Sequence, residues 1–186
     1  MNILPFDTET TGIPDWPARS NSPHQPHIVQ LAAVLVDTSG AYINESMNVI
    51  VRPDGWEIPQ DMIDIHGITL EKAMDEGIAE ADALEQFMCL YRRTDWRIAH
   101  NTTFDNRMIR IAMKRYDPDG VSDADWKDKT KYYCTLQNSK KIMGGKDGHT
   151  LAECYLHFTG KVLEGAHDAM VDTRACLEIY QEINKL

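Results

Sequence analysis

The sequence predicts an α/β protein with a mixed sheet. Three strand-like segments come first, and helix, strand, helix and strand follow them. A short turn joins the second and third segments, whereas helices separate the later strands, so hairpin and parallel pairing should occur in one sheet. With 186 residues and no visible internal repeat, the chain is most simply one domain over residues 1–186.

The first three strands are predicted from segments rich in Val, Ile and Leu. The first starts at Ile3 and stops before Gly12, and the others cover residues 28–36 and 42–51. Four prolines make residues 13–27 a loop between the first two strands. The tetrapeptide DTSG at 37–40 predicts a hairpin turn between the second and third.

The rest of the chain alternates helices with short strands. An apolar run at 96–99 predicts a buried parallel strand, and residues 132–143 predict a short strand followed by a helix. Residues 117–128 predict a polar loop and residues 144–148 a turn. The other predicted helices are 58–74 with a break at Gly67 and an N-cap at Thr69, 79–91, a helix opening at Thr103, 150–158 and 166–183.

Composition excludes several classes of protein. No stretch approaches the ~18 apolar residues of a membrane span, and Asp7 and Glu9 stand where a signal peptide needs an apolar core. The four cysteines are scattered without a C-x-x-C pair, which indicates buried free thiols in a reducing cytoplasm and disfavours a zinc site. The loop at 117–128 lacks the residues of a calcium-binding EF-hand, and 144–148 lacks those of a phosphate-binding P-loop.

The charge of the chain limits how it can contact a polyanion. It carries 29 acidic side chains against 19 Lys and Arg, a net charge of −10. A broad nucleic-acid-binding surface is normally basic, so such a surface is not expected. Any contact with a polyanion should be local, and metal ions should supply much of the positive charge.

The first candidate site residues are Asp7 and Glu9, at the end of the first strand. Alternate side chains of a strand share a face, so Asp7 and Glu9 project together while Thr8 points away. Two carboxylates on one face at the end of an apolar strand repel each other and resist desolvation. A divalent cation between them would remove that cost, and hard oxygen ligands suit Mg²⁺ or Mn²⁺.

A third carboxylate, Asp105, lies in the first turn of the helix that follows the strand at 96–99. Helix N-termini favour anions, so this carboxylate should stay ionised. Open α/β sheets bind ligands just beyond the carboxyl ends of their strands, which is where Asp105 lies. The alternative is the stabilising role that acidic residues often have at the start of a helix.

The segment GAHDAMVDTRA supplies His167, Asp168 and Asp172. Asp168 and Asp172 are four residues apart and would share a helix face, whereas His167 and Asp172 are about 140° apart on a regular helix. Spacing alone therefore favours the pair of aspartates. His167 joins Asp172 only if it precedes the helix or lies in a frayed first turn, which Gly165 would allow, and Asp168 would then be the N-cap.

With these segments in this order, the chain resembles the DEDDh exonucleases, the family of the proofreading epsilon subunits and exonuclease X. DTETTG resembles the first family motif, HNTTFD the second and HDAMVD the third. The segments IHGIT at 65–69 and CTLQNSKKI at 134–142 also look like family segments, so the resemblance covers almost the whole chain. It implies a ribonuclease H-like fold, a mixed five-stranded sheet with helices on both sides.

The resemblance also implies a 3′–5′ exonuclease chemistry on single-stranded or frayed DNA, with release of nucleoside monophosphates. Two divalent ions, Mg²⁺ or Mn²⁺, can both generate a nucleophile and stabilise the charge that develops during phosphodiester hydrolysis. By the resemblance, the metal carboxylates are Asp7, Glu9, Asp105 and Asp172. His167 would be the general base, which suits an imidazole with an ordinary pKa of about 6.5.

Other residues are expected to contact the substrate. Thr10 and Thr11 could offer backbone amides to the terminal nucleotide. His66 could line the cleft and His100 could orient a carboxylate, although structural roles are the favoured interpretation of both. Asn101, in the second motif, completes this set.

Two alternatives remain open at this point. An exoribonuclease of the same superfamily would share the motifs, because the contacts that select a 2′-hydroxyl are not readable here. A non-catalytic scaffold for nucleic-acid ends is disfavoured, because a pure binder gains nothing from an unneutralised acidic cleft. A DNA polymerase partner is possible in this family but not indicated, since the chain ends at Leu186 directly after its last predicted helix. Trp16, in the long proline-rich loop, could stack on a base.

Overall fold

A computed structural model describes residues 1–37, 42–145 and 148–185, with the side chains of 42–44 left out. Its strands are β1 (Asn2–Thr10), β2 (Ile28–Asp37), β3 (Tyr42–Ile50), β4 (Trp96–Ala99) and β5 (Tyr132–Cys134). They form one sheet in the order β3-β2-β1-β4-β5. β1 pairs antiparallel with β2, and β2 with β3, whereas β4 is parallel to both β1 and β5. The predicted mixed five-stranded sheet is confirmed.

Helices cover both faces of this sheet. They are α1 (Gln60–His66), α2 (Leu70–Glu76), α3 (Glu80–Tyr91), α4 (Thr102–Tyr116), α5 (Asp123–Lys127), α6 (Thr135–Met143), α7 (Leu151–Thr159) and α8 (Ala169–Asn184), with a 3₁₀ turn at Lys129–Lys131. Within the described residues, none of these helices is long and apolar enough to cross a membrane.

The alternation of β1 divides the core between the two faces. Leu4 and Phe6 pack with buried residues of α3 and α4, whereas Ile3 packs with Cys176 and Leu177 of α8. Successive side chains of a strand point to opposite faces. The same alternation, continued to the end of β1, directs Thr8 towards the α4 side and the flanking carboxylates towards the α8 side.

Most predicted boundaries agree with the structure to within about two residues, but some expectations were wrong. Residues 117–128, predicted as a loop, contain the short helix α5. It begins there because the Ser122 hydroxyl accepts a hydrogen bond from the Asp125 amide. The last helix begins at Ala169 rather than at 166, and Cys89 is an exposed thiol rather than a buried one. The hairpin turn at 37–40 and part of the turn at 144–148 lie outside the described residues.

Candidate active site

Four carboxylates converge at the carboxyl end of β1, and we refer to this group as the acid cleft. Its members are Asp7, Glu9, Asp105 and Asp172. The first two belong to β1, and the other two lie in the first turns of α4 and α8. Because β1 and β4 are parallel, the chain leaves β4 for α4 at the same edge of the sheet at which β1 ends. The predicted carboxylates are therefore neighbours in the structure, close enough to interact electrostatically.

Asp105 reaches the acid cleft from the α4 side of the sheet, where Thr8 fixes its position. The Thr8 hydroxyl donates a hydrogen bond of 2.9 Å to Asp105 Oδ1, and both side chains are buried. The sequence indicated that Thr8 points away from Asp7 and Glu9 but gave it no role. The only signal in the sequence was a threonine between Asp7 and Glu9. It did not show that the partner of Thr8 would be Asp105.

His167 precedes α8 in a left-handed backbone conformation with φ 68°. Its amide donates to Asp172 Oδ2 at 3.2 Å, five residues along the chain. Ligand atoms of Glu9, His167 and Asp172 lie within 4.8 Å of one another. The condition set by the sequence, that His167 must lie before the helix to join Asp172, is met.

Asp168 is the N-cap of α8. The sequence analysis expected this role for it if His167 lies before the helix. Its Oδ1 accepts the amides of Met170 and Val171 at 3.0 and 3.1 Å. Its Oδ2 accepts from the Gln30 side-chain amide at 3.1 Å. Both carboxylate oxygens of Asp168 are thus engaged in holding the start of the helix.

Gln30 is a buried residue that the sequence analysis missed. Its Oε1 accepts the Ala169 amide at 3.1 Å, and its amide nitrogen donates to both Asp168 and Asn48. It lies opposite Glu9 in the pairing of β1 with β2. A glutamine in the otherwise apolar β2 was the available signal. Gln30 ties the segment that carries His167 to the sheet.

Burial and mutual repulsion raise the pKa values of the acid cleft. Burial first, and then Asp172, raise the pKa of Glu9 to about 8. Burial raises the pKa of Asp105 to about 7, against the hydrogen bond from Thr8, which lowers it. Burial and then Asp105 raise the pKa of Asp7 well above its ordinary value, and burial raises that of Asp172. The cleft therefore favours bound protons or cations near neutral pH.

The donor set of the acid cleft fits hard divalent ions. Asp172 Oδ1 is buried without a hydrogen-bond partner among the described residues. Across the same residues, no ion pair joins a carboxylate of the cleft to Lys or Arg. Carboxylate oxygens are the ligands preferred by Mg²⁺ and Mn²⁺. Such ions would supply the positive charge that the protein does not provide here.

Comparison with known proteins agrees with this geometry. The sequence pattern of the protein family described as Exonuclease, RNase_T, matches residues 4–180. The chain belongs to the exonuclease family. The relation between the motifs and the DEDDh exonucleases is thereby supported over nearly the whole chain.

Named relatives of this exonuclease-family chain are bacterial enzymes. Exodeoxyribonuclease 10 of Escherichia coli K12 is 35% identical over 104 residues, which are 56% of this chain and 39% of that protein. The structure of E. coli exonuclease I in complex with a dA16 oligonucleotide has a TM-score of 0.77 at 22% identity, covering 99% of this chain and 41% of that chain. A zinc-bound complex of E. coli exonuclease I with single-stranded DNA also has a TM-score of 0.77, at 21% identity.

These likenesses show a ribonuclease H-like fold. The chain spans about two-fifths of the length of both relatives. Exonuclease I supports the fold alone, because its sequence identity is low.

His66 and His100, both expected near the substrate, have different surroundings in the structure. His66 lies near His167: burial, and then the charge of His167, lower the pKa of His66. Its Nε2 is buried without a hydrogen-bond partner among the described residues. His100 instead contacts the Thr135 hydroxyl and the His149 carbonyl, each at 3.0 Å. Both ring nitrogens of His100 thus have protein partners, as its structural interpretation requires.

Backbone amides at the end of β1 are less available than the sequence suggested. The Thr11 amide donates to the His27 carbonyl at 2.9 Å, so it already has a partner within the protein. The Thr10 hydroxyl donates to the Gly12 carbonyl at 2.9 Å. Asn101 is the exposed residue before α4, in a left-handed conformation with φ 70°, and its side chain makes no capping hydrogen bond.

Proposed function

We propose that this chain is a single exonuclease domain, residues 1–186, that hydrolyses DNA from the 3′ end of single-stranded or frayed substrates. The products are nucleoside monophosphates. The observation that carries the proposal is the acid cleft: four adjacent carboxylates that have no ion pair with Lys or Arg among the described residues, with His167 beside two of them. A binding protein for a polyanion would be weakened by such a cleft, whereas a metal-dependent phosphodiesterase requires one.

Divalent ions, Mg²⁺ or Mn²⁺, would be held by the four carboxylates of the acid cleft. When bound, two such ions supply an activated water and positive charge against the phosphate. The contribution of the chain is to bring ligands from β1, α4 and α8 to one point. Thr8 orients Asp105 through its hydroxyl, and the amide of His167 orients Asp172.

His167 is proposed as the general base. Its side chain is exposed, so a water molecule can reach it, and ligand atoms of Glu9 and Asp172 lie within 4.8 Å. A histidine imidazole is the side chain that most often serves as a general base. Gln30 and the Asp168 N-cap fix the backbone at the start of α8, directly after His167.

DNA is the proposed substrate chiefly because of the relative that is similar in sequence. The E. coli relative with 35% identity is named an exodeoxyribonuclease. Exonuclease I, which is similar in fold, has been solved in complex with single-stranded DNA and with a dA16 oligonucleotide. The 3′ polarity rests on the resemblance of the three motifs to the DEDDh family.

Digestion of end-labelled oligonucleotides tests the proposal. A 5′-labelled DNA strand, incubated with Mg²⁺ or Mn²⁺, should yield a ladder that shortens with time, whereas a 3′-labelled strand should release labelled mononucleotide at once. Equivalent RNA strands should be degraded more slowly. Three results would contradict the proposal: early release of labelled mononucleotide from the 5′-labelled strand, internal cleavage, or activity in EDTA.

A further inference from the structure

A cationic pocket lies along α4, the helix that also carries Asp105 of the acid cleft. It has a volume of about 350 Å³, within the size range of small-molecule sites. The 13–27 loop forms one wall through Trp16, α4 forms the second, and residues 126–132 form the third. Thr103, in the first turn of α4, also lines the pocket.

The charge of the pocket is opposite to that of the chain. Its lining holds Arg107, Arg110, Lys127 and Lys129, and no carboxylate among the described residues. The whole chain has a net charge of −10. Lys129 is exposed, and no ion pair is formed by it within the described part of the chain. An anionic ligand would therefore find a local positive surface here.

Arg97 adds a buried positive charge behind the pocket. It is 0% exposed, and its guanidinium lies 3.8 Å from the ring centroid of Trp126, which lines the pocket. It donates to the Asn106 side chain and the Trp126 carbonyl, while Nη1 has no hydrogen-bond partner in the described residues. Burial lowers the pKa of Arg97 to about 10, so it remains charged near neutral pH.

Trp16 gives the pocket an aromatic surface. Its side chain is 47% exposed, although it is large and apolar. The loop that carries it is held in place by α4: Arg107 donates to the Asp15 and Ala18 carbonyls, and Arg110 donates to the Ser20 hydroxyl at 2.8 Å. Exposed aromatic rings beside cations are the usual components of single-strand binding grooves.

We infer that this pocket binds one nucleotide of the single-stranded substrate, on the 5′ side of the nucleotide in the acid cleft. Trp16 stacks on the base, and the lining cations contact the phosphate. The inference deepens the proposed function, on which it rests, because it assigns the path of the strand away from the cleft. Arg110 lies five residues after Asp105, roughly 7.5 Å along the helix axis and about 140° around it, so a strand of a few nucleotides would pass around the start of α4 to reach both.

Binding rather than cleavage gives the sharpest test. The variants are Trp16→Ala and Lys129→Glu, because Arg107 and Arg110 also hold the loop. Trp16→Phe keeps an aromatic ring, and Lys185→Glu is the matched charge reversal on an exposed lysine at the far end of α8. The affinity of a 5′-labelled oligothymidylate of about eight nucleotides is measured by fluorescence anisotropy in Ca²⁺ across a salt series, a length suited to single-strand sites.

We expect Trp16→Ala and Lys129→Glu each to weaken binding of the oligonucleotide by about 5- to 10-fold, the scale of one lost stacking or phosphate contact. Trp16→Phe and Lys185→Glu should bind like the wild type. Lys129→Glu should also reduce the log–log salt slope by about 0.7, the contribution of one phosphate on a single strand.

Two further measurements separate this inference from the proposed function. Binding of free dTMP, measured by calorimetry in Ca²⁺, should be unchanged in both variants, as should hydrolysis of the p-nitrophenyl ester of dTMP in Mn²⁺. Wild-type affinity of both variants for the oligonucleotide would overturn the inference, and so would an equal loss for free dTMP. A further outcome is that the wild type hydrolyses neither the oligonucleotide nor the p-nitrophenyl ester while the variants still lose affinity for the oligonucleotide. In that case the proposed function would fail and the inference about the pocket would stand.

Discussion

Buried carboxylates occur in two regions of this molecule, with opposite surroundings. Glu80, at the start of α3, has a side chain only 3% exposed, and every partner around it is a donor or a cation. It accepts the Ile28 amide and the Tyr116 hydroxyl, each at 3.0 Å, and it contacts His27 at 2.6 Å and Arg115 at 3.6 Å. The carboxylates of the acid cleft accept from the Thr8 hydroxyl and from backbone amides, and His167 lies beside Asp172, but none of them is paired with Lys or Arg among the described residues.

The difference shows where this fold uses a carboxylate for stability. Glu80 joins the end of the 13–27 loop to α3 and α4, and its charge is compensated within the protein. The acid cleft retains repulsion between neighbours that the protein itself leaves uncompensated. A bound cation removes that repulsion, so the stability of the cleft should depend on an external ligand, whereas that of Glu80 should not.

The largest expected effect comes from Asp7. Asp7→Asn keeps the shape of the side chain but removes a charge from the cleft, and we expect hydrolysis to fall by about 10³-fold or more, the upper scale of a lost electrostatic contribution. The melting temperature in EDTA should stay level or rise, because repulsion is relieved. Digestion rates and thermal unfolding check both. Substantial residual activity would show that Asp7 is not a metal ligand.

His167 and Asp168 are adjacent but should behave differently. His167→Ala should lower the rate by about 10²–10⁴, the range of a lost general base, while metal binding is retained. Asp168→Ala removes an N-cap, so it should cost about 1 kcal/mol of stability and reduce activity far less. Rate measurements with thermal unfolding separate the two. A dead Asp168 variant beside an active His167 variant would reverse the roles.

Local patterns predicted most of the fold and named Asp7, Glu9 and Asp105 as candidates, whereas the complete set with Asp172 came from the resemblance of the three motifs to a known family. The two-residue period of β1 placed Asp7 and Glu9 on one face, and the strand–helix order brought Asp105 to the same edge. The hydrogen bonds of Thr8 to Asp105 and of Gln30 to Asp168 and Ala169 were not predictable, because these partners lie 97 and 138 or more residues away. The left-handed conformation of His167 was not predictable either, since residues other than glycine rarely adopt it.

The same substitution at two buried glutamates sharpens the comparison further. Glu80→Gln should destabilise the protein by about 1–3 kcal/mol, because it leaves buried donors without a charged acceptor. Glu9→Gln should raise the stability of the metal-free protein, because it removes a carboxyl group whose ionisation is opposed by burial and by Asp172. Chemical denaturation in EDTA gives both free energies of unfolding. The comparison fails if the two substitutions change stability in the same direction.

The pH dependence of stability should show a smaller effect of the same origin. The pKa of Glu9 rises from 4.5 to about 8 on folding. Between these values the unfolded chain has lost a proton that the folded protein keeps, so the free energy of unfolding falls as pH rises. The melting temperature in EDTA should therefore decrease by a few degrees between about pH 5 and pH 8. Glu9→Gln should flatten this decrease; an unchanged slope would exclude Glu9 as its source.

The central claim is that divalent ions compensate the acid cleft, and proton release on metal binding tests it most directly. Near pH 7, the raised pKa values of Glu9 and Asp105 keep protons on the metal-free cleft. Titration calorimetry with Mn²⁺, in buffers of different ionisation enthalpy, should show about one proton or more released per protein. Asp7→Asn should weaken the binding, and Glu80→Gln should not. Binding without proton release, or equal binding by wild type and Asp7→Asn, would contradict the claim.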